Sequence, residues 1–150
     1  MSFAAAFWLP SRDAAESAEP RTADIRALTI RQPWAACIAT GEKTVENRTW
    51  QTKHRGPLAI HSAAAFDDVA AHPLSHTPDG AAVMDAYYRA PTEMIARASV
   101  LALVDLDDCH PYEPGCCVSP WAEKADGIWH WTLGEVRALF NDAERGERPV

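Results

Sequence analysis

The chain has no run of apolar residues long enough to cross a bilayer, because polar or charged residues interrupt every hydrophobic stretch. It has no excess of basic residues either: the formal net charge is −7. This charge argues against broad, nonspecific binding of duplex nucleic acid. The first ten residues contain no Lys or Arg ahead of their apolar patch, so they make a poor secretory signal. We therefore expect a cytoplasmic protein that has no membrane partner.

The chain is also poor in cysteine, with four residues and no C-x2-C pair. Cys109-His110 and Cys116-Cys117 offer thiolate and imidazole groups, which are the usual ligands of zinc. Their spacing does not match a standard zinc knuckle, and no second cysteine pair follows. We therefore predict a proline-rich loop with small buried thiols, no bound metal and no cofactor. In the cytoplasm these thiols should stay reduced.

The residues that are present suit one globular domain: of 150 residues, 47% are hydrophobic and 23% are charged. Residues 1–24 are rich in Ala, Ser, Glu and Pro and show no sustained period, which predicts a flexible leader. The domain itself should span residues 25–140. A polar C-terminal tail is expected at residues 141–150.

The most informative stretch runs from Leu28 to Ser62 and changes its hydrophobic period several times. Alternating apolar residues predict a strand at residues 28–31, and Pro33–Thr40 reads as a short helix that Gly41 ends. The period then returns to two over Lys43–Trp50, which predicts a charged strand. A polar loop at residues 51–56 should lead into another strand at residues 58–61.

The rest of the chain predicts alternating helices and strands. Alanine-rich Ala63–Ala71 and then Ala81–Ala90 read as helices. The long apolar stretch Glu93–Asp107 predicts a strand through the middle of the fold, bent at Ala98-Ser99. Residues 128–132 should form a further strand, and residues 134–140 should turn toward helix or irregular structure.

Positive charge is concentrated locally, although the whole chain is acidic. Residues 31–61 hold five Lys or Arg against two acids, a local charge of +3 that leaves −10 on the remainder. A basic cleft on an acidic body favours a small or locally held anionic ligand over a long nucleic-acid track. The alternative is that these cations are simply solvated.

The run from Gly41 to Arg48, GEKTVENR, resembles the G-x-K-x-x-E-x-R motif of the ASCH family, whose relatives are the PUA-like RNA-binding domains. RQPWA at residues 31–35, RGPLAIH at residues 55–61 and WHWTL at residues 129–133 resemble other elements of that family in the same order. The resemblance implies an α+β fold, a PUA-like β-barrel of about five to six mostly antiparallel strands with flanking helices. The polar tail shows no pattern for a further strand, so the sequence does not decide whether the barrel closes.

The resemblance also implies a cleft that binds single-stranded RNA or a nucleoside- or nucleotide-like ligand. The predicted ligand-binding residues are Gln32, Trp34, Lys43, Glu46, Arg48, Lys53, Arg55 and Ser62. Cations there can neutralise phosphates, Glu46 can accept hydrogen bonds from exocyclic amino groups, and an indole can stack on a base. For Trp34, a place in the core is the alternative to stacking.

Two other functions stay open at this stage. A hydrolase acting on RNA or on a modified nucleoside would use Lys43, Glu46 and His61 as its acid, base and positioning groups. The family's amidohydrolases of acetylated cytidine carry a Thr three residues after the Lys, and here that position is Glu46. The second alternative is a protein-interaction module in transcription or translation, for which the leader, with its aromatic residues Phe3, Phe7 and Trp8, would be the contact.

Overall fold

The computed structural model describes residues 24–68 and 80–139. The predicted leader and C-terminal tail therefore lie outside the described residues, apart from Asp24. The described elements are β1 (Arg26–Gln32), α1 (Trp34–Ala39), β2 (Val45–Arg48), β3 (Gly56–Phe66), α2 (Gly80–Arg89), β4 (Ser99–Pro111) and β5 (Trp129–Ala138). Neither of the two described helices is long and apolar enough to cross a membrane.

The five strands form one curled sheet in the order β1-β3-β4-β5-β2. The β1–β3 pair is parallel and the other three pairs are antiparallel. This half-barrel with two short helices confirms the predicted α+β, PUA-like architecture. The edge strands β1 and β2 are joined by a side chain, since the Arg48 guanidinium donates to the Thr29 carbonyl across 3.2 Å. We call this junction between the two edge strands the seam.

β4 is the middle strand of the sheet, as its long apolar run predicts. Leu101, Val104 and Leu106 are almost completely buried, and they pack with residues of β1, β3, β5 and α1 in the main core. The strand begins at Ser99 rather than at Glu93, because residues 92–95 form a turn. Ala98, directly before the strand, has a φ of 51°, which breaks the extended chain at the predicted bend.

The prediction of a helix at Ala63–Ala71 is wrong over its first four residues, where β3 continues as far as Phe66. Residues 69–71 of that prediction lie outside the described part of the chain. Alanine favours a helix when the chain is considered locally, but here strand pairing overrides that preference. Ser62 pairs with Ser99 of β4, and Phe66 lies opposite Gln32 of β1.

The expectation of helix or irregular structure after Gly134 is also wrong, because β5 runs on to Ala138. Gly134 lies where β4 and β5 change register. A Cβ at this position would come within 2.3 Å of the Asp107 carboxylate, so the close approach of the two strands favours glycine. Cys109 and His110, which were expected in a loop, lie near the end of strand β4.

α1 and α2 pack against each other on one side of the sheet. The Gln32 side-chain oxygen accepts the Ala36 backbone N–H across 2.9 Å, which satisfies one of the free amides at the start of α1. α2, predicted at Ala81–Ala90, buries Val83 and Ala86 in a second apolar cluster with Cys37. α1 therefore separates the main core from this second cluster.

Cys37 should not react with alkylating agents while the protein is folded. Burial raises the pKa of its thiol to about 11, so at pH 8 only about 0.1% would be the reactive thiolate. Mass spectrometry after iodoacetamide treatment should find Cys37 modified only in denaturant. Rapid modification of Cys37 in native buffer, at the rate seen in denaturant, would contradict this burial.

Arg137 and Asp105 connect β5 to β4 through two hydrogen bonds of 2.9 and 3.1 Å. The hydrogen bonds from Arg137 lower the pKa of Asp105. A carboxyl whose pKa is lowered by folding stabilises the fold above its unfolded pKa of about 3.9, and this contribution is lost as the pH falls through the folded pKa.

Arg137→Gln should therefore lower the melting temperature at pH 7, and its difference from the parent protein should shrink below about pH 4. Arg26→Gln is the matched control, because Arg26 pairs only with highly exposed Asp24 in the described chain. An equal effect of Arg137→Gln at every pH would argue against the ion pair as the cause.

Candidate functional site

The charged residues of the G-x-K-x-x-E-x-R motif converge on one carboxylate. Lys43 Nζ lies 2.8 Å from Glu46 Oε2, and an Arg48 guanidinium nitrogen lies 3.0 Å from Glu46 Oε1. Lys43 also donates to the carbonyl of Val45. The sequence predicts all three as ligand-binding residues of one cleft; the structure brings their side chains together, and their role in binding stays a prediction. We call Lys43, Glu46 and Arg48 the charged triad.

Helix α1 and strand β2 together position the triad. Gly41, with a φ of 82°, follows the helix, and the Lys43 backbone N–H then donates to the Cys37 carbonyl across 2.8 Å. In β2, Glu46 lies opposite Trp131 of β5, and opposed residues of an antiparallel pair share one face. Trp131 belongs to the main core, so the triad lies on the inner face of the sheet, beside the seam.

The triad is largely withdrawn from water. The side chains of Lys43, Glu46 and Arg48 are 4%, 10% and 19% exposed. Burying three charges is unfavourable unless they are paired and hydrogen-bonded. Glu46 satisfies both cations, yet Arg48 Nε is buried with no hydrogen-bond partner among the described residues. The arginine therefore keeps one unused donor beside the seam.

Two tryptophans form an aromatic wall next to Lys43. Its ammonium lies 6.0 Å from the Trp121 ring centroid, and Trp34 meets Trp121 edge to face at 6.4 Å. Trp34 Nε1 donates to an Asp67 carboxylate oxygen across 3.0 Å. Trp34 is half-buried and packs against both apolar clusters, which agrees with the core reading, and its stacking on a base stays a prediction.

Trp50 is the aromatic side chain that the triad presents to solvent. Its residue is 48% exposed, and the Arg48 guanidinium carbon lies 5.1 Å from its ring centroid. Trp131 supports it from the side, edge to face, at 5.8 Å. Trp50 is absent from the predicted binding residues, although its alternation with Glu46 and Arg48 along the chain indicates that the three share one strand face.

Gln32 and Ser62 lie inside the fold rather than on a ligand-binding surface. Gln32 and Ser62 are both 0% exposed. Gln32 donates to the carbonyls of Met94 and Ala96. Ser62 donates to the same Ala96 carbonyl across 2.7 Å. These bonds hold the turn before β4 against β1 and β3, so in this conformation neither side chain is available to a ligand.

The remaining predicted residues do not gather at the triad. His61 lies in β3 and is hydrogen-bonded to the Thr29 hydroxyl at 3.2 Å. Arg55 pairs with Asp108 of β4 at 3.2 Å, and Lys53 is exposed in the loop before β3. Within the described chain, neither Arg55 nor Lys53 is therefore seen in contact with the charged triad.

Asn47 connects β2 to a loop far along the chain. Its side-chain nitrogen donates to the Trp121 carbonyl across 2.9 Å, and its oxygen accepts the Glu123 N–H across 3.0 Å. Sequence reasoning missed both Asn47 and Trp121 because their contact spans more than 70 residues. No local sequence pattern predicts such a contact.

The curled sheet, the helix that leads into the motif and the triad at the seam define a PUA-like domain. The profile of the ASCH domain matches residues 28–132, well over half of the chain. The chain therefore belongs to the ASCH family.

Two curated relatives share a short segment with this chain. Activating signal cointegrator 1 of Homo sapiens is 49% identical over 37 residues, which are 25% of this chain and 6% of that protein. Its counterpart in Mus musculus is 52% identical over 33 residues, 22% of this chain and 6% of that protein. The match covers so little of these relatives that it carries no conclusion about their activity as whole proteins.

Glu46→Gln should destabilise the fold strongly, because two buried cations would lose their shared counter-charge. The expected loss is about 3 kcal/mol in the free energy of unfolding, measured by urea denaturation. Glu42→Gln is the matched control: Glu42 is more exposed and pairs with exposed Arg89 at 3.7 Å, so it should change the free energy by less than about 0.5 kcal/mol. Equal effects of the two variants would show that the triad is not structurally coupled.

Proposed function

We propose that the ASCH domain binds a nucleotide, as part of single-stranded RNA or as a free nucleotide-like molecule, at the surface formed by Arg48 and Trp50. The observation that carries the proposal is the half-exposed Trp50 indole held beneath the Arg48 guanidinium. Stacked arginine and indole groups present a flat, electron-rich and positively charged surface, which matches a nucleobase and its phosphate. The triad anchors this surface, since Glu46 fixes Arg48 from the inner side.

Charge explains why the proposed ligand is small. Of the five cations in residues 31–61, Lys43 and Arg48 are paired with Glu46, Arg31 lies 3.6 Å from Asp67, and Arg55 pairs with Asp108. The local positive field is therefore weaker than the residue count indicates. With a net charge of −7 on the chain, contact with one or a few nucleotides is favoured over a long phosphate track.

An unpaired base fits this surface better than a duplex does. Trp50 can stack only on a base whose face is free, and in a duplex both faces are covered by neighbouring base pairs. A flexible single strand can instead turn one base outward. The proposal therefore favours single-stranded RNA over double-stranded nucleic acid.

The contacts of the predicted acid–base groups favour binding over hydrolysis. Lys43 and Glu46 are engaged with each other, whereas His61 is hydrogen-bonded to Thr29 on β1. A catalytic acid and base must both reach the reacting atoms. Hydrolysis of RNA or of N4-acetylcytidine is therefore an outcome to be scored in the binding experiment rather than part of the proposal.

Trp50→Ala should weaken binding of a fluorescein-labelled single-stranded RNA of about ten nucleotides by roughly 5- to 150-fold, which corresponds to the loss of one stacking contact of about 1–3 kcal/mol. Fluorescence anisotropy at fixed salt gives the dissociation constants. Competition with unlabelled nucleoside monophosphates distinguishes a free nucleotide from a strand, and gel analysis of the recovered RNA detects cleavage.

Tyr88→Ala is the matched control, because Tyr88 is an exposed aromatic residue on α2, 75% exposed, and its recorded ring contact is with Tyr87. It should bind like the parent protein, and Trp50→Phe should keep most of the affinity. Thermal unfolding of each variant identifies any loss that is due to folding. The same affinity for Trp50→Ala and Tyr88→Ala, or no binding of RNA and nucleotides by the folded parent protein, would refute the proposed surface.

A further inference from the structure

The described chain brings two histidines and two cysteines together where β4 pairs with β5, and His130 lies opposite Asn47 of β2. His110 of β4 and His130 of β5 are direct partners in the strand register. Cys116 and Cys117 belong to the loop that connects these strands, residues 112–128. One ligand atom from each of the four side chains lies within 4.8 Å of the others.

The separations match the ligand shell of a tetrahedral metal ion. His110 Nε2 lies 3.3 Å from Cys117 Sγ, and His130 Nδ1 lies 3.4 Å from Cys116 Sγ. With zinc–nitrogen and zinc–sulfur bonds of about 2.0 and 2.3 Å, ligand atoms at tetrahedral angles stand roughly 3.3–3.8 Å apart. Two of the donor pairs thus already have the spacing that zinc would require, and the other pairs lie within 4.8 Å of each other.

The hydrogen bonds of the two imidazoles point their free nitrogens toward the thiols. His130 Nε2 lies 2.8 Å from the Glu123 carbonyl, which can only accept, so the hydrogen is on Nε2 and the lone pair is on Nδ1. His110 Nδ1 lies 2.7 Å from an Asp108 carboxylate oxygen, which leaves the lone pair of Nε2 facing Cys117. Metal-binding histidines almost always donate their other N–H to a carboxylate or a carbonyl in this way.

The thiols are supported and can be reached from solvent. The Glu113 backbone N–H donates to Cys116 Sγ across 3.5 Å, a contact that becomes stronger when the sulfur carries a thiolate charge. A cavity of about 270 Å³ adjoins Cys116, Cys117 and His130, and Cys116 itself is exposed. An ion therefore has an entry path to the cluster.

We propose that His110, Cys116, Cys117 and His130 bind one structural Zn²⁺ ion in a four-coordinate Cys2His2 site. The sequence predicts a loop with no metal at this place, because its cysteines are adjacent and no second pair follows. The two histidine ligands come from pairing of β4 with β5, which a search for closely spaced ligands does not register. Soft thiolates with imidazoles in a closed four-ligand set favour zinc over hard cations such as Mg²⁺ or Ca²⁺.

Zinc at this site would fix the loop that carries Trp121. Glu123, whose carbonyl accepts from His130, donates its own N–H to Asn47 of β2. Trp121 lies over Lys43 of the charged triad. The ion would therefore hold the β4–β5 loop against both the end of the sheet and the aromatic wall next to Lys43.

Metal analysis of the purified 150-residue chain should give one zinc per chain. Replacement by Co²⁺ should produce the visible absorption of a tetrahedral ion and a thiolate-to-cobalt charge-transfer band. Removal of zinc with a chelator should lower the melting temperature, and added Zn²⁺ should restore it, because an ion that binds only the folded state stabilises that state.

The double variant Cys116→Ser/Cys117→Ser should lose the zinc and the charge-transfer band. Cys109→Ser is the matched control: Cys109 is a neighbouring cysteine whose sulfur accepts the Thr52 N–H and which is outside the cluster, so the variant should bind zinc like the parent protein. Asp108→Asn keeps all four ligands and should weaken zinc affinity by about 10- to 100-fold, through loss of the carboxylate behind His110.

If the double variant does not fold, measurements on the parent protein still test the proposal. Less than about a tenth of an equivalent of zinc after addition of Zn²⁺ and desalting would refute the site, as would a Co²⁺ spectrum without thiolate charge transfer. A melting temperature that responds to neither chelator nor Zn²⁺ would refute the structural role. Zinc binding that is retained in the double variant would place the ion elsewhere in the chain.

Discussion

The fold around the seam depends on the carboxylate of Glu46, which holds two cations from opposite directions. Lys43 reaches it from the end of α1, and Arg48 reaches it along β2 while also donating to the Thr29 carbonyl of β1. β2 has only four residues, and in the described sheet it pairs with β5 alone. The Arg48–Thr29 hydrogen bond therefore supplies what a ladder does not: it connects β2 at one edge of the sheet to β1 at the other, and Glu46 holds Arg48 in place for it. Because the three charges are mostly buried, this arrangement tolerates the loss of one partner poorly.

The loop between β4 and β5 joins the two chemically distinctive parts of the molecule. One end of its sequence places Cys116 and Cys117 beside the paired histidines, and a few residues later Trp121 covers Lys43. Asn47 bonds the loop on both sides of Ala122. A loop of this length would lose considerable conformational entropy on being ordered. A bound ion at one end and the Asn47 contacts at the other would offset that cost, so the proposed zinc site and the wall of the triad belong to one structural unit.

The pairing of charges changes what the basic segment can bind. A count of Lys and Arg over residues 31–61 predicts an open basic cleft, but most of these cations face acids in the described structure. What reaches solvent beside the triad is an indole with a guanidinium stacked on it. Such a surface selects a flat, unpaired base more than it attracts a polyanion, and this is consistent with an acidic chain.

The sequence by itself determined the local features: the family motif, the short helix that Gly41 ends, the buried central strand β4 and the shared strand face of Glu46 and Arg48. These follow from spacing within a few residues, where periodicity and turn chemistry act. Only the tertiary structure decided that Ala63–Phe66 is strand, that β5 continues past Gly134, that Gln32 and Ser62 are enclosed, and that His110 meets His130. Each of these depends on partners more than 20 residues away or on the opposite strand, and the free energy of such pairing is not encoded in any local pattern.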